Sequence, residues 1–191
     1  MTTLTRQLSA ALRTLLVLTL LCGVAYPLVV LGVGQAVDHT AANGSLLERG
    51  KTVVGTSSFG QQVTGAQWFQ GRRSASEYAG TSSGGSNLGP NEAAQTKALA
   101  DARAALVAAN PQASTPPPAE ALAASASGLD PDISPAYARW QVARVASARG
   151  MSVGSVQALV EAHTKGRVLG FLGEERVNVT ELDLALAQAT S

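Results

Sequence analysis

Residues 14–37 read TLLVLTLLCGVAYPLVVLGVGQAV, 24 positions without a charge, bounded by Arg13 and Asp38. As a helix rising about 1.5 Å per residue they reach roughly 36 Å, enough to cross a hydrocarbon layer of about 30 Å with some tilt. No later stretch of the 191-residue chain is comparable. The organisation this predicts is a charged N-terminal segment, residues 1–13, one membrane-spanning helix, residues 14–37, and one soluble domain, residues 38–191. A cleaved signal is the competing reading, since Gly34-Gln35-Ala36 imitates a small-x-small cleavage site. Against it stands the length of the apolar run, which exceeds the about 7–15 residues of a signal core. Leu20-Leu21 before Cys22 lacks the small residue that lipidation requires. Pro27 removes one backbone donor in mid-span, which a membrane helix tolerates where a neighbour or a local readjustment re-satisfies the freed carbonyl. Gly23, Gly32 and Gly34 offer a smooth surface for close helix contact.

Arg6 and Arg13 precede the span without an acid, whereas Asp38, Glu48, Arg49 and Lys51 follow it. Bases alone nearly balance across the span, and the first cluster usually dominates, so the expected N-terminus is cytoplasmic and the domain extracytoplasmic. A net charge of +1 provides no field for nucleic acid. Cys22, the only cysteine, lies inside the span, so the domain has neither an internal disulfide nor a cysteine metal site.

Beyond the span, residues 40–50 read as a polar connector and Thr52-Val53-Val54 as a short strand before a turn. Residues 80–90, GTSSGGSNLGP, are loop by chemistry. A helix is expected over residues 92–109, with Leu99, Ala102 and Leu106 on one face and Asn110-Pro111 as its stop. Residues 113–118 end in three prolines and read as an extended linker. The polar loop SASGLDPDISP, residues 125–135, ends in a helix start, Ser134 as N-cap and Pro135 at the first position. That helix runs to Arg149, with Gly150 as its stop. Its predicted inward face is Ala138, Val142, Val145 and Ala146, with Arg139, Arg144 and Arg149 off that face. Ser152 caps a further helix carrying Val156, Leu159, Val160 and His163 on one side, ended by Gly166. A last helix from near Thr180 turns Leu182, Leu186 and Ala189 inward. The fold class is α+β: one N-terminal transmembrane helix, then a single mixed α/β domain with long ordered loops.

Reactive chemistry is sparse. Gly84-Gly85-Ser86-Asn87-Leu88-Gly89-Pro90 reads as a phosphate cradle or as a structural loop, and it lacks the Lys-Ser/Thr of a P-loop. Asp130 and Asp132, separated by Pro131, read as a cation or acid–base pair or as turn formers. His163 has no second ligand at metal spacing and reads as a satisfied, partly buried histidine. No Gly-x-Ser-x-Gly elbow is present. Neither a catalytic residue nor a metal site is assigned.

An ordered set of motifs carries a resemblance. Gly60-Gln61, Trp68-Phe69-Gln70-Gly71-Arg72, Gly85-Ser86-Asn87-Leu88-Gly89-Pro90, the run of residues 125–135, Arg144-Val145-Ala146, His163-Thr164 and GFLGEERVNV, residues 170–179, occur in that order. The chain thereby resembles the KdpC family, the C subunits of Kdp potassium-transporting P-type ATPases, over the span and nearly all of the domain. Arg73 stands where that family has proline, and Ser58-Phe59 replaces an aliphatic pair. The resemblance implies an accessory, non-catalytic subunit, needed for assembly, of a high-affinity, ATP-driven potassium uptake complex in the bacterial inner (plasma) membrane. Its implied partners are a channel-like potassium-translocating subunit, a P-type ATPase subunit and a small single-span subunit. It further implies a catalytic chaperone that raises the ATP affinity of the hydrolysing subunit. No cofactor is expected to be tightly bound, with ATP engaged only in the complex, and Ser125, Ser127, Gly128 and Asp130 form the loop singled out for a nucleotide link. An extracytoplasmic domain cannot touch cytoplasmic ATP, so such an effect would pass through the membrane subunits as a coupling free energy. A cap over the outer mouth of the potassium subunit is the alternative, with Asp130, Asp132 and Glu174 drawing cations to the entrance. A free-standing anchored binding domain is the other.

Overall fold

The computed structural model describes residues 3–189 and divides into two compact units, residues 1–46 and 47–191.

In the first unit, α1 (Thr3–Leu20) leads through a π-helical turn (Leu21–Ala25) into α2 (Tyr26–Val37). The helix thus starts well before residue 14. The π turn sits where Pro27 demands it. Proline has no N–H and its ring crowds the carbonyl four residues back, and widening the preceding turn relieves both. Tyr26 N accordingly bonds to Leu21 O, one residue further back than in an α-helix. No residue of α1, the π turn or α2 is buried, and their leucines and valines present an apolar surface all round. After α2 the chain turns into α3 (His39–Ala42), capped by Asp38, whose Oδ1 accepts from Ala41 N at 2.9 Å. The Gln35 and Asn43 carboxamides exchange two hydrogen bonds of 3.2 and 3.1 Å across this elbow. The stretch read as a plain connector therefore holds a helix turn and, in Leu46–Arg49, a strand.

The second unit begins with that strand, β1 (Leu46–Arg49), paired with β2 (Thr52–Thr56). Residues 57–92 then run without helix or strand. Helix α4 (Ala93–Ala109) ends at Asn110, as its sequence predicts. The short α5 (Ala119–Leu122) follows the proline run. A three-stranded antiparallel sheet of order β3 (Asp132–Ile133), β5 (Arg176–Asn178), β4 (Thr164–Lys165) sets Val177 opposite both Ile133 and Thr164. Strand β3 thus lies inside what the sequence presents as loop.

Helix α6 (Pro135–Arg149) is the centre of this unit. Ser134 Oγ accepts from Tyr137 N at 3.1 Å, Pro135 occupies the first turn, and Gly150 closes the helix at φ 65°. Eight of its fifteen residues are buried. Ala138, Val142, Val145 and Ala146 meet Val156 and Val160 of α7 (Val153–Ala162) and Leu182 and Leu186 of α8 (Val179–Ala189) in one core with Val177 and Phe69. Helix α7 stops at Ala162 rather than Gly166, because His163 takes the C-cap and Thr164 enters β4. Ala189 is exposed, against its expected inward place.

Candidate functional site

The loop of residues 124–132 is a seam to which three other segments are tied. Gly128 adopts φ 69°, a conformation that disfavours a side chain, and Ser125 Oγ accepts from its N–H at 3.1 Å. Ser127 Oγ lies 3.2 Å from Ser125 Oγ and accepts from Leu129 N at 3.1 Å. Asp130 Oδ1 accepts from Asp132 N at 3.1 Å. These are the short-range turns that Ser and Asp form with their own backbone. The seam then reaches outward. Ser125 N donates to Arg73 O at 2.7 Å, Gly84 N to Ser127 O at 2.8 Å and Gly60 N to Leu129 O at 2.8 Å. Ser74 Oγ donates to Gly128 O at 2.7 Å, and Arg72 Nη1 meets Asp130 Oδ2 at 3.0 Å. At Gly60 a Cβ would stand 2.6 Å from both Asp130 O and Tyr78 Cε1, so only glycine fits.

Ser125, Ser127, Gly128 and Asp130 therefore do lie together, each engaged within the domain. The Gly84 N–H, one of the amides a phosphate cradle would need, is bonded to Ser127 O. Asp130 and Asp132 do not converge on a common point: Asp132 Oδ2 meets Arg176 Nε at 3.2 Å. Burial raises the Asp132 pKa above the ordinary carboxylate value, and the Arg176 charge opposes it. Among the described residues no group of three or more His, Cys, Asp or Glu is placed to hold a metal. His163 is half-buried with Nδ1 2.9 Å from Leu159 O, a satisfied histidine.

Beside the seam lies a cleft of about 710 Å³, walled by the 61–78 segment, α4 and α6. Its volume suits a small molecule or a peptide side chain. Three guanidiniums line it, and all three are already in use. Arg72 also donates to Ala124 O at 3.3 Å, and Arg73 donates to Ala98 O and Leu122 O at 3.2 and 3.1 Å. Arg144 donates to Ala66 O and Trp68 O at 2.7 and 3.0 Å and to Gln141 Oε1 at 2.6 Å. Arg72 Nε and Asn110 Oδ1, on two lining residues, are buried without a hydrogen-bond partner among the described residues.

Arg144 lies off the apolar face of α6, as expected, yet it is buried, 5% exposed. Helix α6 is covered on two sides, by α7 and α8 on one and by residues 66–70 on the other. Sidedness read from apolar spacing detects only the first. The second side is polar. Besides Arg144, Gln141 exchanges hydrogen bonds of 2.8 and 3.0 Å with Gln70 N and O. Arg149 Nε donates to Gln67 O at 2.7 Å, with its guanidinium 4.1 Å above the Trp68 ring. From α8, Asp183 Oδ1 accepts from Phe69 N at 2.9 Å. Burial pushes the Asp183 pKa up to about 7, against the Phe69 N–H and the charges of Arg149 and Arg144. Burial likewise lowers the Arg144 pKa. Sequence reading missed this clamp; the available signal was Trp68-Phe69, an apolar pair in a polar stretch that had to be covered by something.

Comparison with known proteins gives one result throughout. The family model for KdpC, "K+-transporting ATPase, c chain", matches residues 8–188. A potassium-transporting ATPase KdpC subunit of Kineococcus radiotolerans is 49% identical over 191 residues, covering 99% of this chain and 97% of the relative. Subunits of that name from Burkholderia mallei and Burkholderia pseudomallei are each 51% identical over 176 residues, covering 91% of both chains.

Proposed function

The chain belongs to the KdpC family of K+-transporting ATPase c chains, and on that premise we propose that it is the accessory, non-catalytic subunit of an ATP-driven potassium uptake complex in the bacterial plasma membrane. It crosses the bilayer once, N-terminus inside and the 47–191 unit outside. It assembles with a potassium-translocating subunit, a P-type ATPase subunit and a small single-span subunit. One observation carries this reading: the Thr3–Val37 helix holds an uncharged, strongly apolar stretch over residues 14–37 and buries none of its residues, so that stretch needs lipid or partner helices around it. Its π turn and glycines suit a helix face that docks against a partner.

Within the complex the subunit raises the ATP affinity of the hydrolysing chain at a distance. The hydrogen bonds of Ser125, Ser127, Gly128 and Asp130 support an indirect role, since each already serves the seam. The loop then acts by keeping the domain stiff, so that docking favours one state of the assembly. The alternative cap over the potassium entrance loses much of its attraction for cations, because Asp130 and Asp132 face guanidiniums and, among the described residues, only Glu174 of the three has no ion pair. Purified complexes with and without this chain provide the test. The apparent KM for ATP should rise roughly 5–150-fold without it, the range of ordinary allosteric coupling, and a photoreactive ATP should label the hydrolysing subunit alone. An unchanged KM, or labelling within residues 125–130, would refute indirect coupling.

A further inference from the structure

The turn between β4 and β5 carries the most concentrated exposed apolar surface of the 47–191 unit. Val168, Leu169, Phe171 and Leu172 are 49–79% exposed, four of five consecutive residues. Val107 and Val153 stand singly, and Val53, Val54 and Phe59, at 44–51% exposed, make a smaller and less exposed set. The tip has a fixed shape. Val168 and Leu172 exchange two backbone bonds of 2.9 Å, Gly170 N donates to Arg167 O at 3.1 Å, and Phe171 N to Val168 O at 3.3 Å. Leu169, the most exposed of the four, sits at φ 55°, where a branched side chain is disfavoured.

We infer that this hairpin tip is a docking knob that inserts into an apolar socket with a Lys- or Arg-bearing rim on another polypeptide of the transport assembly. The inference rests on the accessory-subunit reading and deepens it. Charge selects the occupant. Glu174 and Glu175 follow the tip, exposed and without an ion pair among the described residues, against the single Arg167 before it. That acidic balance is repelled by anionic lipid headgroups and complements a basic rim. A second copy of this chain, related by twofold symmetry at the tip, would bring two acidic pairs together. Area points the same way. Four side chains bury far less than the roughly 1,200 Å² of a self-sufficient interface. The tip works as a second contact on a chain the membrane helix already holds at high effective concentration.

The test uses the full chain expressed with its partner chains, with the photo-crosslinking residue p-benzoylphenylalanine in place of Phe171. The expected result is an adduct with one other protein subunit, reduced at least fivefold when Glu174→Lys and Glu175→Lys are added. Adducts with lipid alone, with a second copy alone, or with nothing overturn the inference. So does an adduct that the two charge reversals leave unchanged. Recovery of the wild-type chain with its partners is scored in the same preparation. If that is lost the accessory reading itself fails; if it holds while the crosslink fails, only the knob is wrong. Unchanged thermal unfolding of the crosslinker variant confirms that the domain is intact.

Discussion

On one side of α6, Val142, Val145 and Ala146 pack against Val156 and Val160 of α7 in an apolar contact closed by Leu182 and Leu186. On the other, the same helix holds residues 66–70 by polar groups: Arg144 on two carbonyls, Gln141 on both backbone groups of Gln70, and Asp183 from α8 on the Phe69 N–H. The first contact is non-directional and tolerates volume-conserving change. The second is directional, and losing one partner strands a buried donor or acceptor. The pair explains how a run as long as residues 57–92 keeps a defined path with no strand or helix of its own. Loops of that length need either a function or a set of clamps, and here the clamps are visible.

The largest loss of stability should come from breaking the polar side. Arg144→Met keeps bulk while removing the donor to Ala66 O, one of the donors to Trp68 O and one of the two to Gln141 Oε1, and it should lower unfolding stability by about 3 kcal/mol. Val145→Ala on the apolar side should cost about 2 kcal/mol. Urea unfolding of the detergent-solubilised chain ranks the two, and the reverse order would break the comparison.

Next comes Asp183. Its folded pKa, about 7, lies above the ordinary carboxylate value of 3.8. Between those values the folded chain keeps a proton that the unfolded chain releases, so this group's stabilisation is full below about pH 4, falls as pH rises, and is gone above about pH 7. The span is on the order of 4 kcal/mol. Asp183→Asn cannot titrate. Relative to wild type it should therefore gain stability from pH 4.5 to about pH 7 and level off by pH 8, whatever constant offset the substitution adds. A difference that stays flat with pH would show that Asp183 is charged in the folded domain.

The smallest expected effect sharpens the apolar side. Ser134→Ala removes the cap of α6 and should cost about 1 kcal/mol by the same unfolding measurement, with residues 66–70 still protected from hydrogen exchange.

What was legible in the sequence follows the same division. The Ser134-Pro135 start, the Gly150 stop, the Ser152 cap and the faces of α6 and α7 all rest on local chemistry and helical period, and they stand as read. The apolar helix is there too, though it begins at Thr3 rather than residue 14, and where Pro27 demanded a readjustment the π turn provides it. Arg144 and Asp183 were not legible, because their partners lie 78 and 114 positions away and no period connects an arginine to a loop carbonyl. Strand β3 was hidden because two residues between Pro131 and Ser134 are too few to alternate. Ser125, Ser127, Gly128 and Asp130 could be singled out, but not their bonds to Arg73, Gly84 and Arg72, which only the folded seam brings near.

The claim on which the functional account turns is that the 47–191 unit faces outward and so influences ATP only through other chains. Ser114 is exposed in the proline-rich segment, and Cys22 is the only native cysteine, within the membrane helix. Replacing Cys22→Ser and Ser114→Cys in the full chain, a membrane-impermeant maleimide applied to intact cells whose outer envelope has been permeabilised should label position 114 completely. Labelling that appears only after the inner membrane is broken would place the domain in the cytoplasm and contradict the account.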